Sequence, residues 1–362
     1  MSQKMYVGTR KGLFIFEKTS ADWSISRHEF MGEPVSMLMR DPRDGLLYAA
    51  LTHGHFGPKL HRSDDGGASW TECGLPTYPE GATILEHSGE STPAALEEFW
   101  SLEPGAGNRI WAGTIPGGLF YSDDQGTSWQ LIESLWNDPL REKWMGGGKD
   151  HAGLHSICID PRDQNRITVA VSTGGVWQSL NGGEGWKLVG EGLRAEYMPP
   201  EQAFDPAAQD AHLMVHCPAS PDRMWLQHHN GIFKSENGGL NWTEIKEVDP
   251  SVFGFAVAVH PENPDVAWFV PATKDETRIP RGGAVVVTHT RDGGKTFEKL
   301  TNGLPQEHAF DIVYRHALAI NASGETLAMG STTGNLWISE NQGKNWQNIS
   351  HYLPPVYCLK FS

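Results

Sequence analysis

Three histidines and one glutamate stand at matching places in four separate apolar runs. His155, His212 and His316 each lie five positions before a residue that opens a turn (Asp160, Cys217 and Asn321), and Glu98 lies five before Glu103. Neutral imidazole nitrogens and a carboxylate converging from different elements could hold a divalent metal such as Zn, Mn or Fe, with a coordination position left open. The same side chains, hydrogen-bonded, could instead line a wet channel. Ser36, Phe255 and Tyr357 occupy the corresponding places in the remaining runs.

A second constellation needs no metal. His151 or His308 could act as base with Tyr197 or Asp311 as partner, while Arg278, Arg281 or Arg315 holds an anionic group. That is workable general acid–base chemistry, including β-elimination from an acidic sugar. His53, His55, His228, His229, Lys149, Arg278 and Trp100 are candidate ligand contacts. Trp100, Trp136, Trp144 and Phe310 could stack on sugar faces, although anchoring a loop accounts for any one of them.

What must position these residues is a repeat. One eight-residue pattern occurs six times: Ser63 to Trp70, Ser122 to Trp129, Ser179 to Trp186, Ser235 to Trp242, Thr290 to Phe297 and Ser339 to Trp346. Its shared form is Ser/Thr-x-Asp/Asn-x-Gly-x-x-Trp/Phe. The Asp or Asn side chain caps backbone N–H groups in a turn, Gly accepts a positive φ, and the aromatic is expected to plug between sheets. The motif is therefore a folding device with no catalytic role.

The pattern resembles the Asp box of sialidase and sortilin-type propellers. Each copy is preceded by two apolar runs and a third short one, which makes a four-stranded meander, one propeller blade, with the box between its third and fourth strands. A seventh set is split between the termini: Met5 to Phe16 supplies middle strands, Trp23 starts the outer one, and Val356 to Phe361 supplies the inner one. The expectation is one seven-bladed, all-β propeller domain over residues 1–362, closed by its C-terminal strand. Box spacings of 59, 57, 56, 55 and 49 residues exceed the roughly 40–50 of a lean blade. The excess falls at 74–98, 133–153, 190–212 and 271–283, in loops that emerge on the face opposite the boxes. That face is the expected working surface.

As a whole the chain resembles the bacterial Asp-box-repeat glycosyl hydrolases, often described as sialidase-like, and the resemblance implies a carbohydrate-active hydrolase or lyase acting on an oligosaccharide or other small molecule. The tripeptide Arg278-Ile279-Pro280 lies in the sixth blade, away from where the sialidase pattern places it, so no sialidase catalytic residue is carried over. A metal-dependent enzyme of another class and a non-catalytic, partner-binding propeller are the alternatives. A formal charge of −15 disfavours nucleic acid and anionic membranes as partners. The start runs straight into a strand pattern with no signal-peptide or membrane-span stretch, which points to the cytoplasm. Four well-separated cysteines indicate neither a disulfide framework nor a zinc ribbon.

Overall fold

The computed structural model describes residues 3–20, 22–85, 90–146 and 149–362. Seven four-stranded antiparallel sheets follow the chain as meanders, and a small hairpin, Thr83–Leu85 with Ser91–Pro93, sits in the first long insertion. The first strand of each sheet touches the first strands of the sheets before and after it, and the series returns to its start. The ring is therefore closed. Its closing strand, Val356–Phe361, pairs antiparallel with Lys4–Thr9, Met5 opposite Phe361 and Gly8 opposite Cys358.

Apolar alternation explains which faces meet. In Lys4–Thr9 and Leu47–Thr52 nearly every residue is buried, because both faces of an inner or middle strand pack against neighbouring blades. The outer strand Trp23–Glu29 is largely exposed. Among the described residues helix is confined to segments of three to five residues, the α-helical one being Glu133–Trp136 in the second insertion. All four cysteines are free thiols.

The six boxes form the expected turns. In the first, the Asp65 carboxylate accepts from the N–H groups of Ala68 and Ser69 (2.8 and 2.9 Å) and from the Ser69 hydroxyl, while the Ser63 hydroxyl accepts from Gly67 N–H at 2.8 Å. Gly67 has φ +94°, and a Cβ there would lie 2.5 Å from Ile15 of the first blade, so the turn also sets the inter-blade spacing. The aromatics are less uniform than expected. Trp242 and Trp346 are buried, but Trp70, Trp129, Trp186 and Phe297 are only half-buried. The fully enclosed tryptophans are instead Trp177, Trp225, Trp268 and Trp337, on second and third strands, where two blades cover them.

Removing residues 356–362 deletes Val356 and Leu359, both essentially buried, uncovers the apolar surface they pack on, and leaves the N–H and C=O groups on one edge of Lys4–Thr9 without partners. Burying two such side chains is worth about 3–6 kcal/mol, comparable with the ~5–15 kcal/mol that holds a whole domain folded. The truncated chain should lose its cooperative thermal transition. A melting curve matching the intact protein's contradicts this closure.

Hydrogen bonds to the turn lower the box carboxyls: Asp124 and Asp292 to about 2, each chiefly through a hydroxyl, and Asp65 in the same direction. Unfolded aspartates titrate near ~3.9, so these groups stabilise the fold fully above about pH 5 and lose that contribution as pH falls toward 2. Replacing all three by Asn should lower the urea midpoint at pH 7 and narrow the difference from wild type at pH 3. An undiminished difference at pH 3 contradicts the assignment.

Candidate functional site

Every inner strand but one carries an irregularity at the same depth. Register shifts leave Ser36, Trp100, His155, His212, Phe255 and Tyr357 out of the ladder, one per blade. In the seventh blade a 3-10 turn, Arg315–Ala317, precedes a short strand, Leu318–Ile320. A β-bulge re-aims the side chain of its extra residue. Seven bulged or turned residues thus point to one axis.

All but His155 floor a pocket of about 800 Å³. Ser36, Trp100, His212, Phe255, His316 and Tyr357 line it, and the long insertions wall it with Lys149, Tyr197 and Asp210, and with Asp275, Glu276 and Arg278. The long-loop face therefore carries this cavity.

The ring position in the third blade is Trp100, not Glu98. Counting back from Glu103 placed it two residues early, because the strand runs on to Pro104. Glu98 still reaches the pocket, where Lys149 Nζ holds its carboxylate at 2.9 Å. His155 is fully buried beneath the floor, its Nδ1 2.8 Å from Ser156 Oγ and its ring 5.5 Å from that of Trp100. Burial, with Arg315 nearby, keeps it neutral. His316 is likewise pushed down to about 3 by burial. The quartet His155, His212, His316 and Glu98 does not converge as a ligand set. Among the described residues, the one cluster of His, Cys, Asp or Glu donors lying within 4.8 Å of one another is Asp210, His212 and His229.

The second constellation also comes apart. His151 bonds Glu97 Oε1 at 2.5 Å and lines a separate groove beside the hairpin. His308 is exposed. Asp311 accepts from Ser331 Oγ (2.7 Å), Thr333 Oγ1 and Asn335 Nδ2 (2.8 Å), which ties down the seventh blade and leaves no bond to His308. His53 pairs with Glu33 at 2.8 Å, and neither it nor His55 lines the pocket. His228 is wholly buried, its ring against Phe233, and burial pushes it down to about 4.

What remains is compact. Tyr197 stacks edge-on against His229 (4.9 Å) and donates to the Ala208 carbonyl at 2.5 Å. Arg278 is paired with Asp275 and lies 5.3 Å above the Phe255 ring. Arg315 has its guanidinium 4.7 Å from the Trp100 ring, forms no ion pair or hydrogen bond among the described residues, and has a buried Nε with no partner. Burial lowers it to about 10, with Asp210 opposing and Arg278 adding to the shift. Asp210, which sequence reasoning missed, is the hub. Burial works against its charge, but the His229 hydrogen bond (3.2 Å), His212 and Arg315 outweigh that and hold the carboxyl below its usual range. An Asp-x-His step at the mouth of an inner strand was the available signal.

The sequence of the second box with the strand ends beside it, residues 120–131, matches the family model described as BNR/Asp-box repeat. The chain is a seven-bladed β-propeller with Asp-box turns, one of which that repeat model matches. A probable oligoxyloglucan-reducing end-specific xyloglucanase of Neosartorya fischeri is 24% identical over 328 residues, 83% of this chain and 37% of that protein. The propeller thus spans little more than a third of that relative. An ancestral GH74 enzyme superposes with a TM-score of 0.58 at 18% identity, covering 91% of this chain and 38% of that one. YCF48 bound to D1 peptide superposes at 0.51 with 17% identity, over 87% of this chain and 82% of that one. Both likenesses are to the propeller fold.

Proposed function

We propose that this propeller is a carbohydrate-active enzyme that cleaves a glycosidic bond in an acidic oligosaccharide bound at the axial pocket. The observation that carries the reading is Arg315: a cation pressed against Trp100 and left without an anionic partner, at the floor of a cavity large enough for a few sugar rings. A planar guanidinium is suited to a carboxylate, and the rings of Trp100, Phe255 and Tyr357 offer apolar faces for sugars. The partial likeness to xyloglucanases supports a saccharide.

The pocket's own carboxylates bear on the chemistry. Glu98 is paired with Lys149, Asp275 with Arg278 and Glu276 with Lys274, while Asp210 accepts from His229. Hydrolysis by two carboxyl groups needs one kept protonated, and the partners of Asp210 and Glu276 hold both below the usual carboxylate range. Elimination next to a sugar carboxylate, or hydrolysis that draws its proton from elsewhere, suits this wall better. A peptide-binding module is a second reading, favoured by the 82% coverage of YCF48; a peptide carboxylate would use the same arginine.

Calorimetric titration with uronate-containing and neutral oligosaccharides separates these. The acidic series should bind, and Arg315→Met should weaken it by roughly tenfold to a hundredfold, as loss of a charge-assisted hydrogen bond does, with thermal stability kept. Release of a new reducing end, or ultraviolet absorbance from an unsaturated product, then identifies the cleavage. Equal binding of neutral sugars by both proteins, or peptide binding without turnover, overturns the proposal.

A further inference from the structure

We propose that Asp210, His212 and His229 form a binding site for a divalent transition-metal ion, with open coordination positions facing the axial pocket. The inference goes beyond the saccharide reading and does not depend on it.

The fold brings the three together within one blade. Asp210 immediately precedes the inner strand Ala211–Cys217, and His229 immediately follows the second strand, Ser220–His228. Ala211 pairs with His228, so Asp210 and His229 form the next rung, joined by the His229 N–H to Asp210 carbonyl bond at 2.9 Å. The register shift at His212 turns its imidazole toward the same mouth. All three side chains line the pocket.

The hydrogen bonds behind them have the character of an outer shell. His212 Nδ1 lies 2.7 Å from the Gly254 carbonyl, which can only accept, so the proton is on Nδ1 and Nε2 presents a lone pair. That nitrogen belongs to a side chain only 2% exposed, and no hydrogen bond reaches it. Its facing neighbour is Asp210 Oδ2 at 3.8 Å. A lone pair directed at a carboxylate is an unfavourable contact unless a cation lies between. The other carboxylate oxygen, Oδ1, accepts from Ser172 Oγ at 3.0 Å, which fixes its orientation. A carbonyl behind the imidazole and a hydroxyl behind the carboxylate are the partners that ligands of a metal ion need.

Without an ion, the Nδ1 hydrogen of His229 bridges to Asp210 Oδ2 at 3.2 Å; a metal takes the place of that hydrogen. Two imidazoles and one carboxylate suit Zn²⁺, Fe²⁺ or Mn²⁺, and leave positions for water or a substrate oxygen. Arg315 opposes the ion's charge and at the same time attracts an anionic ligand to its open side.

The test uses the full chain purified without a metal-affinity tag, stripped with chelator and titrated with Zn²⁺ by calorimetry and with Co²⁺ by visible absorption. One saturable equivalent is expected, with a Co²⁺ spectrum that reports nitrogen ligation. His229→Gln and Asp210→Asn should each weaken binding by at least about tenfold, while exposed His351→Ala leaves it unchanged. His229→Gln keeps the test decisive if the buried His212→Ala variant fails to fold. Absence of saturable binding to the wild type, or equal affinity in wild type and His229→Gln, shows that the trio is only a hydrogen-bonded cluster and overturns the proposal.

Discussion

The pairing of Val356–Phe361 with Lys4–Thr9 makes every other relation in the molecule radial. Seven wedge-like sheets held in a closed ring have one place where all of them meet, the axis, so any side chain that leaves the ladder at the mouth of an inner strand must point into shared space. Closure also covers the edge of Lys4–Thr9 that would otherwise be free. The bulges at Ser36, Trp100, His155, His212, Phe255 and Tyr357 are individually small defects in six separate ladders, and the ring gathers all but the buried His155 into one floor.

The opposite face is governed by a different economy of hydrogen bonds. Boxes with Asp at the capping position have a hydroxyl four residues on, at Ser69, Ser128 and Thr296, and each hydroxyl donates to the second carboxylate oxygen. Boxes with Asn have Gly185, Asn241 or Asn345 there, and Asn237 Nδ2 donates to Asn241 Oδ1 at 2.8 Å. An acceptor at the cap is matched by a donor, and a donor by an acceptor or by nothing. This complementarity accounts for two box chemistries coexisting in one chain without any appeal to function.

The repeat made the architecture legible because each box states its turn, its strands and its period within eight residues. The face of the site followed from loop length alone. Individual site residues were harder, for physical reasons. Trp100 rather than Glu98 occupies the ring position because a strand's end shifts by two residues without changing its apolar pattern. His151 was misplaced because a loop's direction depends on the groove it packs into, here beside Thr83–Leu85. Asp210 was missed because its significance lies in a rung shared with His229, nineteen positions away, and no local pattern records that. Histidines such as His155 and His228 are buried and neutral, so abundance of imidazole did not translate into chemistry.

The separation of the two faces has an energetic logic. Box residues are tied to several backbone groups each, so changes there act on the fold. At the axis the balance is different: Arg315 is buried with its Nε unpartnered, and the Nε2 of His212 has Asp210 Oδ2 no nearer than 3.8 Å. Holding a charge or a lone pair in that condition disfavours the isolated protein. A rigid ring tolerates it because the inner strands are fixed by their neighbours on both sides and cannot collapse inward to satisfy the groups. The same rigidity keeps the pocket from closing, so the groups stay available to a ligand that can supply an anion to Arg315 and a cation to the Asp210 cluster.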